Sequence, residues 1–184
     1  MKLNVSKFKA LTRKRREQGL TLIEASMVLA LSAVVVAGVM LYYQSASDNN
    51  RLQSAEGELG AVQTAVQTIY AGQSTYAGLK TIMLQGNAAI PPNLQNGASI
   101  YTPWGASTSV SLDTADGGGV TAAYYTVTFS GVPKGDCISM GAQSLGAQLV
   151  GVAYQGGTTY AAPTPTAATA GCTTDSNKIS WEFQ

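Results

Sequence analysis

The chain has 184 residues, of which 45% are hydrophobic and only 11% charged, less than half the charged share of an ordinary soluble domain. That balance points to a membrane segment, to broad protein–protein burial, or to both. Histidine is absent, which removes the commonest general base and metal ligand; with the acids scattered rather than paired, nothing resembles a nucleophile–base–orienter set, so the chain reads as no enzyme and as needing no cofactor.

The net charge of +1 is unevenly distributed. Residues 1–19 hold Lys2, Lys7, Lys9, Arg13, Lys14, Arg15 and Arg16 against Glu17, a balance of +6. The rest of the chain has four bases and nine acids, a balance of −5, which argues against a nucleic-acid partner held through a basic face.

From Leu20 to Tyr43 there are 24 residues with a single charge, Glu24. As a helix this stretch is roughly 36 Å long, enough to cross the hydrocarbon core of a bilayer. Bases flank it on one side only, so the positive-inside rule keeps residues 1–19 cytoplasmic, and Tyr42–Tyr43 falls where an interfacial anchor is expected. A secretory signal would have a shorter apolar core and a small-x-small cleavage site before a soluble chain. A plain single-pass anchor fits the length but does not account for Glu24. An unpaired carboxylate near the start of a membrane helix is costly and usually has a partner and a task; the bland alternative is that it snorkels to the headgroups.

Beyond Tyr43 the pattern becomes one-sided. Leu52, Ala55, Leu59, Val62, Val66 and Ile69 follow heptad spacing. Arg51, Glu56, Glu58, Gln63, Gln67 and Thr68 lie between them, on a face expected to be solvated or lightly packed. The stripe is expected to pack on this chain's own sheet rather than on a partner helix. Gly57 and Gly60 weaken the helix by about 1 kcal/mol each relative to alanine. The whole helix is expected from about Leu20 to Tyr70, roughly 75 Å. That exceeds a domain of this size, so the helix should protrude.

From Ala71 to about Ser107 the chain is rich in Gly, Asn, Gln, Ser and Pro and reads as a surface connection, with a helical turn around Thr81–Leu84. Asp116 and Gly117–Gly119 read as a turn, since three glycines without a following helix start or lysine are a weak phosphate signal. Residues Ala122–Ser130 are the clearest strand, with Tyr125, Val127 and Phe129 alternating with Thr126, Thr128 and Ser130. The spacing of Ile138, Ala142, Leu145 and Leu149 predicts a short helix after Cys137. Val150, Val152 and Tyr154 alternate, as do Ile179, Trp181 and Phe183. Residues 155–171 show no periodicity and read as an irregular loop.

Cys137 and Cys172 have 34 residues between them and form no CxxC motif. In an exported chain one disulfide is the natural reading, and the loop-entropy model assigns such a closure roughly 4 kcal/mol; a chance pair of free thiols is the alternative. The fold expected is α+β: a long protruding N-terminal helix laid by its second half on an antiparallel sheet, with one disulfide.

The run Gly19, Leu20, Thr21, Leu22, Ile23, Glu24 resembles the prepilin signature of a basic leader, a glycine and an apolar stretch with glutamate fifth after the cut. Glu24 to Asp48 (EASMVLALSAVVVAGVMLYYQSASD) and Ile69–Leu79 (IYAGQSTYAGL), with the placement of the two late cysteines, are similar to the bundlins of the type IVb pilins. The 19-residue leader and a leucine at the new terminus suit that branch, as does a helix without proline. The resemblance implies cleavage after Gly19 by a prepilin peptidase that also methylates the new amino group of Leu20. It implies three segments: a leader over 1–19, a helix over 20–70 (membrane or filament core 20–43, amphipathic half 44–70), and a globular head over 71–184. It further implies a major structural subunit, inserted in the bacterial inner membrane as a precursor. An assembly machinery would then polymerise it into an extracellular homo-oligomeric filament for adhesion, aggregation or conjugation. The alternatives within the resemblance are a minor pilin, a tip adhesin or a secretion-system pseudopilin. On that reading, the amine of Leu20 freed by cleavage would pair with Glu24 of a neighbouring subunit, and a misregistered subunit would leave a buried charge unpaired, at a cost on the order of several kcal/mol.

Overall fold

The computed structural model of the chain describes residues 21–97, 99–105, 109–115 and 122–184. Gly19, Leu20 and the turn expected at residues 116–119 lie outside the described residues. The chain divides into two units, Met1–Gln44 and Ser45–Gln184, and helix α1 (Leu22–Ile69) contributes to both.

In the first unit, α1 is apolar after Glu24, and its large side chains are exposed from Leu22 to Tyr43. It is long and apolar enough to cross a membrane. The hydroxyls of Ser26 and Ser32 donate to the carbonyl oxygens of Ile23 and Val28, at 2.8 and 2.7 Å. These polar groups are therefore satisfied within the helix, as an apolar surrounding demands.

In the second unit, Ala55, Leu59, Val62 and Val66 of α1 are fully buried, as the heptad spacing predicts. Two positions depart from it. Ile69 is 37% exposed, because the helix ends there and Tyr70 takes its place in the core. Glu58, expected on the solvated face, is 2% exposed. It shares a helical position with Ala65, one heptad away and also buried, so the apolar face is wider than a strict a/d seam.

The stretch after α1 is more than a surface connection. Leu79, Leu84, Ile90 and Ile100 are all buried. Thr81–Leu84 forms the expected turn, as a 3-10 helix, and Thr81 Oγ1 accepts from the Leu112 N–H at 3.0 Å. Two short strands follow, β1 (Gln95–Asn96) and β2 (Ser99–Ile100). They lead to β3 (Val110–Ala115) and β4 (Tyr124–Val132). Strand β4 begins later than expected because Ala122 has φ +52°, a left-handed conformation that cannot continue a pleat.

The remaining elements are α2 (Lys134–Gly141), β5 (Leu149–Tyr154), α3 (Pro165–Gly171) and β6 (Asn177–Phe183). The strands among the described residues form one antiparallel sheet in the order β1-β2-β3-β4-β6-β5. Its centre is β4 against β6, where Tyr125 faces Phe183, Val127 faces Trp181 and Phe129 faces Ile179. All six side chains are fully buried, and Phe129 meets Trp181 edge to face at 5.3 Å. The fold is thus the long helix and antiparallel sheet that the sequence leads one to expect.

Three local expectations are corrected. The helix near Cys137 starts before it and ends at Gly141; Leu145 lies beyond its end and Leu149 belongs to β5. Gly146, at φ +94°, turns the chain between them. In β5 a register shift between Leu149 and Gly151 leaves Val150 44% exposed while Val152 is buried, so these two valines do not share a face. Residues 155–171 are structured: Ala161 bridges Val152 on the open edge of β5, and α3 follows. That helix has little apolar periodicity to reveal it, but Thr164 caps it through the Ala167 N–H and Pro165 opens it.

Candidate assembly sites

Glu24 stands at the start of α1 in a capping box. Its Oε2 accepts from the Thr21 N–H at 3.1 Å and from Thr21 Oγ1 at 3.0 Å, while the Glu24 N–H donates back to Thr21 Oγ1 at 3.3 Å. A Thr-x-x-Glu spacing produces this arrangement, which satisfies donors that a helix start otherwise leaves open. A carboxylate in the first turn also complements the helix dipole. Glu24 is therefore not unpartnered in the uncleaved chain, as its isolation among apolar residues suggests. The spacing Thr21-Leu22-Ile23-Glu24 carries that signal in the sequence.

The box is exposed, so its carboxylate remains open to a further donor. Thr21 is two residues from Gly19. Removal of residues 1–19 would bring a free amine to within one residue of the cap, and a carboxylate can accept from several donors at once.

The two cysteines are joined. Cys137 and Cys172 form a disulfide with Cα atoms 5.9 Å apart, and both are fully buried. The bond links α2 to the residue that caps the end of α3, rather than to an irregular loop. Tyr154 of β5 fills the space between these helices. Its hydroxyl donates to the Gly141 carbonyl at 2.9 Å. A Cβ on Gly141 would lie 2.6 Å from that hydroxyl, and a Cβ on Gly171 would lie 2.3 Å from the ring. Glycine at the last position of each helix is thus what admits the ring.

Polar side chains fasten the surrounding segments. Trp104 Nε1–H donates to Asp136 Oδ2 at 2.6 Å, and burial holds the Asp136 carboxyl above its ordinary value, opposed by that hydrogen bond. Asn177 is fully buried where β4 and β6 change register; its Nδ2 donates to the Val132 carbonyl at 3.1 Å, and its Oδ1 accepts from the Thr174 N–H at 3.1 Å. Neither Trp104 nor Asn177 stands out in the sequence, because each acts through a partner distant in the chain.

Glu58 differs from all of these. Neither of its carboxyl oxygens has a hydrogen-bond partner, although both are buried. Desolvation raises its pKa to about 8, so at neutral pH it is mostly a neutral acid. Among the described residues no group of His, Cys, Asp and Glu side chains is arranged to hold a metal ion.

Comparison with known proteins gives concordant results. The bundlin family model matches residues 44–184, and a prokaryotic N-terminal methylation motif matches residues 14–40. The chain is 39% identical over 140 residues to the major structural subunit of bundle-forming pilus of Escherichia coli O127:H6 (strain E2348/69 / EPEC), covering 75% of this chain and 70% of that protein. The same figures hold for the protein of that description in Escherichia coli O111:H-. The crystal structure of a type IVb pilin from Salmonella typhi is similar with a TM-score of 0.53 and 21% identity, covering 72% of this chain and 97% of that one. At that identity it speaks for the fold.

Proposed function

The chain belongs to the bundlin family, and on that premise we propose that it is the major structural subunit of a type IVb pilus. It is inserted in the inner membrane as a prepilin, cut after Gly19 and polymerised into a surface filament. The observation that carries this reading is the pairing of two matches: a methylation motif over residues 14–40, spanning the Gly19–Leu20 junction, and the bundlin match over 44–184.

Physical features support each step. The +6 leader fixes orientation in the membrane. The helix that follows is long and apolar enough to span it. The globular part carries its own core and a disulfide suited to an oxidising exterior. The processing partner is a prepilin peptidase that also methylates Leu20, and the energy for polymerisation comes from a separate assembly machinery. In the filament, Glu24 pairs with the amine of Leu20 from a neighbouring subunit and sets the register of an otherwise non-specific apolar contact. The segments are a leader over 1–19, a helix over 20–70 and a head over 71–184.

The test is the composition of fibres sheared from cells that make the full chain. Mass spectrometry should find this chain as the main component, beginning at N-methylated Leu20, and Gly19→Ala should abolish both the processing and the fibres. A trace of the chain in fibres built from another subunit, or fibres containing residues 1–19, would overturn the reading.

A further inference from the structure

Glu58 forms part of the wall of a cleft of about 580 Å³ within the globular unit. Ser54, Gly57 and Ala61 of α1 lie on one side, and Pro91, Leu94 and Pro103 on the other. None of the other lining residues ionises, and nearby Glu56 is engaged by Gln143 at 2.6 Å. A buried carboxyl with both oxygens unpartnered is a cost that an apolar side chain of similar size would avoid. The α1 wall is built from small residues. A Cβ added at Gly57 would meet nothing within 4 Å, so the helix is open to close approach there.

The described bases are Arg51, Lys80, Lys134 and Lys178, all exposed, and none of them pairs with Glu58 in its own chain. We propose that the Glu58 cleft is a docking site for a lysine or arginine side chain from a second copy of this chain. The proposal rests on the filament reading above, because a homopolymer supplies each cleft with the same four bases at equal stoichiometry. The chemistry is complementary: mostly apolar walls suit the methylene stem of a basic side chain, and the Glu58 carboxyl, buried beside the cleft until its side chain turns, suits the charged end. Without residues 1–19 the side chains carry a formal net charge of −5 if Glu58 is counted as ionised and −4 while it is protonated, so packed copies must offset like-charge repulsion. A carboxyl that stays protonated until a base arrives adds nothing to that repulsion in the free subunit.

Docking turns the Glu58 side chain into the cleft. Its carboxyl O–H bond breaks, the proton passes to water, and the carboxylate meets the incoming cation. Contact between subunits therefore strengthens as pH rises toward about 8, by at most about tenfold in affinity per pH unit.

The experiment uses fibres from cells making the full chain with Glu58→Gln, which keeps the shape and neutrality of the free side chain, and with each of the four bases changed singly to Gln. Formation of the Cys137–Cys172 disulfide in the processed protein reports folding independently of assembly. The expected result for Glu58→Gln is a folded, processed subunit with fibre yield reduced about tenfold or more. One base variant should match it, their combination should be no worse than either, and exchanging the two charges should restore fibres. Wild-type fibres should resist thermal dissociation better at pH 8 than at pH 6, and those of Glu58→Gln should not. Wild-type fibre yield and pH response in Glu58→Gln would overturn the proposal, as would four base variants that all behave as wild type. A cleft filled by an added amine or divalent cation, with no base of this chain involved, would overturn it too. If the unaltered chain builds no fibres, the filament reading fails instead.

Discussion

Glu24 has two tasks that separate cleanly by substitution. Its carboxylate caps α1 through Thr21, and its charge is proposed to meet an amine across a subunit contact. Glutamine preserves an oxygen that can accept from the Thr21 N–H but carries no charge; alanine removes both. If charge pairing controls assembly, Glu24→Gln and Glu24→Ala should each be exported and cleaved, and each should lower fibre yield by about tenfold or more. Wild-type piliation in Glu24→Gln beside loss in Glu24→Ala would assign the role to the cap instead. Counting fibres per cell by electron microscopy distinguishes the outcomes. Glu24 is legible in the sequence because it is the single charge in a long apolar stretch. Glu58 is not, since it lies among other polar residues and only the width of the buried face distinguishes it from Glu56, which reaches Gln143.

At the scale of elements, the disulfide-linked pair α2 and α3 depends on two glycines that admit the Tyr154 ring. Gly171→Ala would place a methyl group 2.3 Å from that ring, and α3 must move to relieve it. Overpacking of this kind costs about 1–3 kcal/mol. The expected outcome is a lower thermal midpoint with the disulfide still formed, measured on the processed full chain in detergent; an unchanged midpoint would show that the corner yields freely. The elements legible in advance were those with strong period. The stripe of α1 and the alternation within β4 and β6 appear as expected, although β4 starts two residues late, and the turn read from composition at Thr81–Leu84 appears too. Those that were not legible obey local chain chemistry instead: α3 rests on a cap and a proline, and β5 on a register shift. The spacing from Ile138 to Leu149 matched a helix by coincidence, and Gly141 and Gly146 interrupt it.

At the scale of the whole molecule, the free subunit and the filament should respond to pH in opposite directions. Glu58 has a folded pKa of about 8 against an ordinary value of 4.5, so between these values the folded state holds a proton that the unfolded state has lost. Its contribution to stability is fully present below about pH 4.5 and is lost as pH rises toward 8, by about 1.4 kcal/mol per unit at most. Denaturant midpoints of the detergent-solubilised subunit should fall between pH 5 and pH 8, and Glu58→Gln should flatten that slope. A slope unchanged by the substitution would place the titration elsewhere.

What the sequence determined alone is whatever follows from composition and period. The charge asymmetry sets residues 1–19 apart from the rest, the 24 residues from Leu20 with Glu24 as their single charge define a stretch of membrane length, and alternation marks the central strands. The tertiary structure decided what depends on neighbours distant in the chain. It covered Glu58 and left both oxygens without a partner, joined Cys137 to Cys172 across α2 and α3, and fitted Tyr154 against two glycines. The reason is physical: period reports which face of an element is apolar, whereas burial of one side chain depends on what is packed over that face.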